Sequence, residues 1–301
     1  MLKRYGLLLL VNFGIIITIS LVLNLLGVNH YLTARGINYE SLIIFCLVWG
    51  LGGSFISLMM SKTIAKWTMS LQIIQPNDPS STGQKLLAMI TRLSKSAQLP
   101  KNPEFALYDS PEINAFATGP SKSNSLVAVS TGLLRSMNDE EIEGVLAHEV
   151  SHIANGDMIT MTLLQGVINA FVMFFSKVAA WAIANSMKSD DDDSAPSFWL
   201  VFAIEMVFTV VFAFFGMLVV SYFSRFREYK ADKGAAQLSG REKIISALES
   251  LKRNIGAPED PRGEALQNFK ISSGKRKSFL DLLRSHPSLD DRIKALRSGS
   301  Y

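Results

Sequence analysis

The sequence predicts an α+β, mainly helical fold: an integral membrane protein with four hydrophobic helices and a polar domain that contains a small sheet. Hydrophobic residues make up 48% of the 301 residues and concentrate in four long runs, at 5–26, 41–61, 158–187 and 198–223. The polar residues fall into two blocks, 62–157 and 224–301. Because neither block has enough apolar residues for its own core, we expect the two to fold together as one split domain.

The first run carries no charged side chain and is long enough for a helix to cross the hydrocarbon layer. Lys3 and Arg4 precede it, as in a signal peptide. However, the run is too long for a signal-peptide core, and residues 27–30 offer no small-residue cleavage site. We therefore expect a retained anchor. The second run is the next predicted span and holds the single cysteine, Cys46, so no intrachain disulfide can form.

The third and fourth runs are interrupted only by Lys177 and Glu205. A charge within a span is costly unless it is paired or solvated, so these runs either cross the membrane or form hairpin helices that embed partly. If both cross, Lys177 and Glu205 lie at nearly equal depth and can pair. Alternatively, Lys177 snorkels to the interface while Glu205 faces the bundle interior.

The connections between the runs predict the orientation, because short cytoplasmic loops retain Lys and Arg. On the predicted non-cytoplasmic side, the only basic residues of the loops are Arg35 and Lys188. Lys188 precedes an acidic run at 190–193, which we interpret as a solvated loop tip. Both termini and residues 62–157 are therefore expected in the cytoplasm. The net charge of +4 is modest and the basic residues are not interleaved with aromatics, which argues against a nucleic-acid partner. The basic residues on the predicted cytoplasmic side are Lys3, Arg4, Lys62, Lys66, Arg225, Arg227 and Lys230.

Within the polar blocks, period-2 patterns bounded by Pro, Gly and Asn predict three strands, at 104–108, 113–117 and 125–130. Helical periodicity predicts helices at 84–98 and 241–255, and residues 256–277 have the composition of a flexible loop. Asn138 with Glu141 three residues later forms a capping-box pattern that opens a further helix. Ser288 with Asp291 opens the last helix.

The helix that follows Asn138 carries the string His148-Glu149-Val150-Ser151-His152. Two histidines four residues apart project from one helix face and can hold one zinc ion. Glu149 then lies beside the metal, where its carboxylate can take a proton from water and pass it to a leaving amine. This pattern predicts a zinc metallopeptidase.

A catalytic zinc needs a third protein ligand and an open position. Asp157 is near in sequence, but it follows Gly156, where the helix can end. Glu228 and Asp232 are four residues apart, so on a helix one can bind the metal while the other orients a ligand histidine. A surface salt-bridge helix has the same spacing.

Together, the string at 148–152, the later Glu228-x-x-x-Asp232 and the dipeptide His286-Pro287 resemble the M48 family of membrane metallopeptidases. The layout of the spans and the segment 114–119 resemble its bacterial heat-shock members over essentially the whole chain. The resemblance implies a zincin-like cytoplasmic catalytic domain on a multi-pass protein of the bacterial inner membrane. The domain divisions that follow are 1–61 and 158–223 for the hydrophobic helices, with 62–157 and 224–301 for the two parts of the protease domain.

For the site, the resemblance implies one zinc ion per chain held by His148, His152 and Glu228, with Glu149 as general base. It also implies cleavage of damaged or misassembled membrane proteins in quality control and the stress response. In proteins of that fold an edge strand aligns the substrate, so Asn114 and Ala115 become candidates for substrate binding by strand addition.

Two further residues have open roles. His286 either donates a hydrogen bond to the oxyanion, occupies the open zinc position, or belongs to a structural loop that ends at Pro287. Arg292 is expected to fix that loop by pairing with a carboxylate such as Asp232.

Alternatives to a quality-control protease remain. One is a protease that processes prenylated or other specific membrane substrates; members of that kind use more spans than four. Another is a non-proteolytic metal-binding membrane protein, such as a transporter component or a silent scaffold, but transport does not require Glu149. Because the helix with His148 runs almost directly into the third apolar run, the site should lie near the membrane surface. The expected partners are therefore membrane protein substrates and the lipid bilayer.

Overall fold

The computed structural model describes residues 17–19, 21–25, 32–33, 36–187, 196–254 and 286–299. In this part of the chain the fold is mainly helical, with a four-stranded mixed sheet and one short hairpin. The described residues of 1–57 and 162–220 form one compact unit, and those of 58–161 and 221–301 form another.

The helices in chain order are α1 (Tyr39–Thr68), α2 (Ser81–Ser96), α3 (Thr131–Ser136), α4 (Asp139–Asn155), α5 (Asp157–Ser186), α6 (Phe198–Ser239), α7 (Arg241–Arg253) and α8 (Leu289–Ser298). The strands are β1 (Leu32–Thr33), β2 (Gly36–Ile37), β3 (Gln72–Ile73), β4 (Glu104–Tyr108), β5 (Ala115–Ser121) and β6 (Asn124–Ser130). The predicted helices and strands of the polar blocks are therefore present with some ends shifted, as for β5 at Ala115–Ser121, and β3 and α3 are additions to them.

Among the described residues, three helices are long and apolar enough to cross a membrane, namely α1, α5 and α6. They correspond to the second, third and fourth hydrophobic runs. Most of the first run lies outside the described residues, and residues 17–19 and 21–25 within it are helical. The helix α6 is continuous over 42 residues, so it passes the predicted boundary at 223 without a break.

An ion pair joins α5 and α6 within the first unit. Lys177 Nζ lies 2.8 Å from Glu205 Oε1, so of the two alternatives that the sequence leaves open the structure shows pairing. The same ammonium group lies 5.8 Å from the centroid of the Phe45 ring, within cation–π range. Each charge therefore has a partner on a neighbouring helix in a segment where hydrocarbon would not solvate it.

The sheet in the second unit has the strand order β3-β4-β6-β5. The strands β4 and β6 are parallel, while β5 runs antiparallel to β6 and forms one edge. Alternate side chains enter two different cores, because successive residues of a strand point to opposite faces. Val127 and Val129 pack in the cluster that contains α2, α4 and α7, whereas Leu126 and Ala128 pack with Ala65 and Met69 at the end of α1.

The helix α4 begins with the predicted capping box. Asn138 Oδ1 accepts hydrogen bonds from the backbone N–H groups of Glu140 and Glu141, and Glu141 Oε2 accepts one from Asn138 N. The helix ends at Gly156, whose φ of 74° is the left-handed conformation that favours glycine. Because α5 starts at the next residue, the chain turns sharply there, and Asp157 comes back over the last turn of α4.

The Lys177–Glu205 pair predicts a non-additive stability effect. The K177M variant should unfold at a temperature lower by roughly 3 °C or more in detergent, because Glu205 loses its partner inside an apolar bundle. The K177M/E205M double variant should recover most of that loss, because no lone charge remains. Thermal unfolding followed by circular dichroism measures both, and equal losses in the single and double variants would contradict the pairing.

Candidate metal centre

Two histidines on α4 converge on one point. His148 and His152 lie one helical turn apart, and their Nε2 atoms are separated by 3.0 Å. The side chains are buried, at 2% and 9% exposure. Two imidazole nitrogens at this separation are arranged to hold one cation between them or to share one proton.

The carboxylate of Glu228 on α6 completes the group. Its Oε2 lies 3.4 Å from His148 Nε2, and its Oε1 lies 3.4 Å from His152 Nε2. One ligand atom from each of the three residues falls within 4.8 Å of the others. Tetrahedral zinc with bonds of about 2.0–2.1 Å holds its ligand atoms about 3.3 Å apart, so the observed separations fit that geometry.

The charges around this point also fit a divalent cation. Four buried carboxylates surround it among the described residues, and only two guanidinium groups, those of Arg227 and Arg292, lie with them. With all four carboxylates ionised and the histidines neutral, two negative charges are left over; a divalent cation would cancel them, and protons on the histidines would offset them when no cation is bound. In addition, Glu228 Oε2 has no hydrogen-bond partner in the described part of the chain. The four carboxylates are Glu149, Asp157, Glu228 and Asp232.

A second carboxylate orients each histidine. His148 Nδ1 lies 3.0 Å from Asp232 Oδ1, and His152 Nδ1 lies 2.6 Å from Asp157 Oδ2. A carboxylate at Nδ1 fixes the ring orientation and leaves Nε2 for a metal. Burial would lower the pKa of His148, but hydrogen bonds with Asp232 and Glu228 outweigh burial and raise it to about 9. A cation at this histidine therefore competes with a firmly held proton.

Arg292 on α8 is fully buried and fixes Asp232 in turn. Its Nε and Nη2 donate to the two oxygens of Asp232 at 2.7 and 2.6 Å, which is the predicted pairing in bidentate form. Its Nη1 lies 3.5 Å from Glu228 Oε2. Burial alone would lower the pKa of Arg292, but the charge of Asp232 outweighs it and raises the pKa. Arg292 therefore stays charged and joins α8 to α6 beneath the histidines.

Glu149 and His286 line the same cavity as the three candidate ligands. Glu149 is 4% exposed, and burial raises its pKa, which the nearby His148 and His152 only partly offset. A carboxylate with a raised pKa holds a proton more readily, as a general base must. His286 Nδ1 lies 3.0 Å from Glu228 Oε2, so the segment that precedes α8 reaches the site.

The edge strand β5 passes beside this cavity. Ala117 on β5 lines the cavity. Ala115 is the first residue of the strand, and Asn114 lies just before it. Asn114 is buried, and its Oδ1 has no hydrogen-bond partner among the described residues. Its backbone is tied to β6, because Ser130 N donates to Asn114 O and Asn114 N donates to Ser130 Oγ.

A glycine allows the two helices of the site to approach. A Cβ added to Gly234 on α6 would lie 1.9 Å from Ser151 Oγ on α4. Ala231 and Ala235 on the same helix are fully buried. Small side chains on this face of α6 thus bring Glu228 and Asp232 to the histidines.

Sequence reasoning missed three of these features. The sequence suggests Asp157 only as a metal ligand, because its contact with His152 depends on the left-handed turn at Gly156. A glycine at the end of a helix, followed directly by an acidic residue, is the sequence signal for that contact. The sequence indicates only the charge of Arg227, although this residue lines the cavity. The close contact of Gly234 is invisible without the structure.

Comparison with known proteins identifies relatives for nearly the whole chain. Residues 80–300 match the family described as Peptidase family M48. The chain is 46% identical over 303 residues to a Protease HtpX homolog of Bacillus licheniformis, which covers 98% of this chain and 99% of that protein. It is 47% identical over 298 residues to Protease HtpX of Shewanella oneidensis, with 98% and 99% covered.

A solved structure shares the fold. The crystal structure of S. mikatae Ste24p superimposes with a TM-score of 0.63 at 17% sequence identity, and the match covers 100% of this chain and 67% of that one.

The contact at Gly234 predicts that one methyl group weakens metal binding. In the G234A variant the new Cβ would lie 1.9 Å from Ser151 Oγ, which can rotate away, and 3.0 Å from Ser151 Cβ, a contact that is relieved only if α6 and Glu228 shift away from α4. We expect zinc affinity to fall by about tenfold or more, measured by competition with a chromophoric chelator.

Two controls accompany this measurement. The G234A/S151G double variant should recover affinity, because the colliding atoms are gone. The G53A variant should not change it, because a Cβ at Gly53 meets nothing within 4 Å. Unchanged affinity in G234A would show that the helix contact does not set the position of Glu228.

Proposed function

The chain belongs to peptidase family M48, and we propose on that premise that it is a zinc endopeptidase of the bacterial inner membrane. It is a membrane protease, with three apolar helices of spanning length in its described part. The observation that carries the proposal is the convergence of His148, His152 and Glu228, with Glu149 in the same cavity.

The three converging residues are the proposed ligands of one zinc ion per chain. Two imidazoles and one carboxylate, with room for a further ligand, form the usual protein donor set of a hydrolytic zinc site. A zinc ion bound there would act as a Lewis acid toward the scissile carbonyl and the attacking water. Asp232 and Asp157 keep the two imidazoles in the tautomer and orientation that binding requires.

Glu149 is the proposed general base. Its carboxylate takes a proton from water as the water oxygen attacks the carbonyl carbon of the peptide. The same carboxylate then returns the proton to the amide nitrogen as the carbon–nitrogen bond breaks. Burial raises the pKa of Glu149, which suits a group that must both take and release a proton.

Substrate binding and oxyanion stabilisation fall to two other elements. We assign alignment of an extended substrate to β5, which forms an edge of the sheet in the described part of the chain; Ala115 is its first residue and Asn114 precedes it. His286 is assigned as the donor to the developing negative charge on the carbonyl oxygen, because it lines the cavity with Glu149.

The proposed substrates are damaged or misassembled membrane proteins, cleaved in their cytoplasmic regions as part of quality control and the stress response. Glu228 lies on α6, a helix that also contains an apolar stretch of spanning length. Extended loops of neighbouring membrane proteins are therefore the peptide segments within reach. Basic residues at the ends of the spans, such as Lys62, Lys66 and Arg225, support a cytoplasmic active site and cytoplasmic termini.

Reconstitution tests this function. Proteoliposomes that hold the chain and a membrane protein with a destabilising mutation should yield cleavage in that protein's cytoplasmic loops, while the folded parent of the substrate is spared. The E149Q variant should bind zinc normally and cleave at least about a hundredfold more slowly, because no base remains. Gel analysis and metal content per chain measure both effects.

The matched control is E140Q, the same change at an exposed position in the first turn of α4. It should leave cleavage and zinc content unchanged. Retained cleavage in E149Q would remove the assignment of the base, and equal cleavage of folded and destabilised substrate would remove the quality-control role.

A further inference from the structure

Arg227 is a cation in the wall of the cavity whose role the zinc site does not explain. It lines the cavity together with Glu149, His286 and Ala117. Its side chain is largely buried, at 13% exposure. A buried guanidinium group is costly unless its donors are used, so the partners of each nitrogen matter.

The partners found for Arg227 are weak. Its Nη2 lies 3.4 Å from Glu228 Oε1 and 3.5 Å from Ser224 Oγ, both at the long end of hydrogen-bond distances. Its Nε–H is buried and has no hydrogen-bond partner among the residues that the structure describes. By contrast, Arg292 uses its Nε and Nη2 in short bonds to Asp232, although its Nη1 also has no hydrogen-bond partner among the described residues. The bidentate pair with Asp232 fixes Arg292 in place, whereas the contacts found for Arg227 are long and its Nε–H is unused.

The cavity that Arg227 lines indicates which substrate groups are available to accept a hydrogen bond from its Nε–H. Ala117 belongs to the edge strand β5 that is proposed to align the substrate, and both residues line one cavity. A substrate strand that enters there brings a carbonyl oxygen every residue and, at some positions, a side-chain carboxylate. Both are acceptors that guanidinium binds well.

We propose that Arg227 binds an oxygen acceptor of the substrate, either a backbone carbonyl or a side-chain carboxylate, and so helps to set affinity and preference. This inference rests on the proposed peptidase function. Arg227 touches substrate rather than the metal, so its loss reduces substrate affinity without loss of zinc. It also places a positive charge in the same cavity as Glu149, Glu228 and Asp157, whose negative charges would otherwise repel an acidic peptide.

The test measures binding in the E149Q background, where the peptide is held but not cut. The probe is a short, unstructured, fluorescein-labelled peptide that contains Glu residues, and a counterpart with Gln at those positions. Fluorescence anisotropy should show roughly tenfold weaker binding for E149Q/R227M than for E149Q, with equal zinc content and thermal midpoint. The matched control is K230M in the same background, which removes an exposed charge from the same helix and should change nothing.

The two peptides separate the two acceptors. If the loss persists with the Gln peptide, Arg227 binds a backbone carbonyl; if it disappears, Arg227 binds the carboxylate. Equal affinity of E149Q and E149Q/R227M for both peptides would overturn the proposal. Cleavage of the peptide by the chain with Glu149 intact tests the peptidase function separately.

A conservative variant, R227K, keeps the proposal testable if R227M does not fold. R227K keeps a charge near Glu228 but lacks the Nε–H of guanidinium, so we expect a loss of about threefold in affinity with zinc retained. If R227M loses zinc or unfolds, the peptide affinity of R227K tests the proposal instead. If E149Q/R227K binds the peptide as tightly as E149Q does, the role of Arg227 is to support Glu228 and not to bind substrate.

Discussion

The contact between Gly234 on α6 and Ser151 on α4 sets how near the two helices lie, and the metal centre depends on that distance. Both histidines come from α4, and the carboxylate that faces them comes from α6. With a side chain at 234 the helices would have to move slightly apart, because an added Cβ lies 3.0 Å from Ser151 Cβ even after the Ser151 hydroxyl, 1.9 Å away, has rotated. Zinc ligands tolerate little displacement, so this close packing helps to hold Glu228 at the histidines.

Close to that contact, each histidine of the candidate metal centre is paired with a buried carboxylate. Asp232 lies between His148 and Arg292, so α8 is joined to α6 and through it to α4. Asp157 contacts His152 from the turn that ends α4. Among the described residues, buried carboxylates outnumber buried guanidinium groups at this centre, and either a divalent cation or protons on the histidines offset the excess. The fold thus supplies the proposed ligands in surroundings that favour a positive charge between them.

Much of this was predictable from local rules. The string at 148–152 and the capping box at Asn138 identify the helix and its metal-binding face, because both depend only on spacing along one helix. Equal depth in neighbouring spans allowed Lys177 to pair with Glu205 but also allowed Lys177 to reach the interface, and the structure decides for the pair. The role of Asp157 required the backbone direction after Gly156, and the role of Arg227 required knowledge of its neighbours. The unbroken α6 was missed because hydropathy changes near 223 while helix propensity does not.

We propose that His148, His152 and Glu228 hold one zinc ion, and X-ray absorption at the zinc edge of the purified chain observes these ligands without an activity assay. We expect two imidazole ligands and oxygen ligands at about 2.0–2.1 Å, with one imidazole lost in H152A and a changed oxygen shell in E228Q. A spectrum without imidazole scattering, or one that neither substitution alters, would show that zinc binds elsewhere and that these three residues are not its ligands.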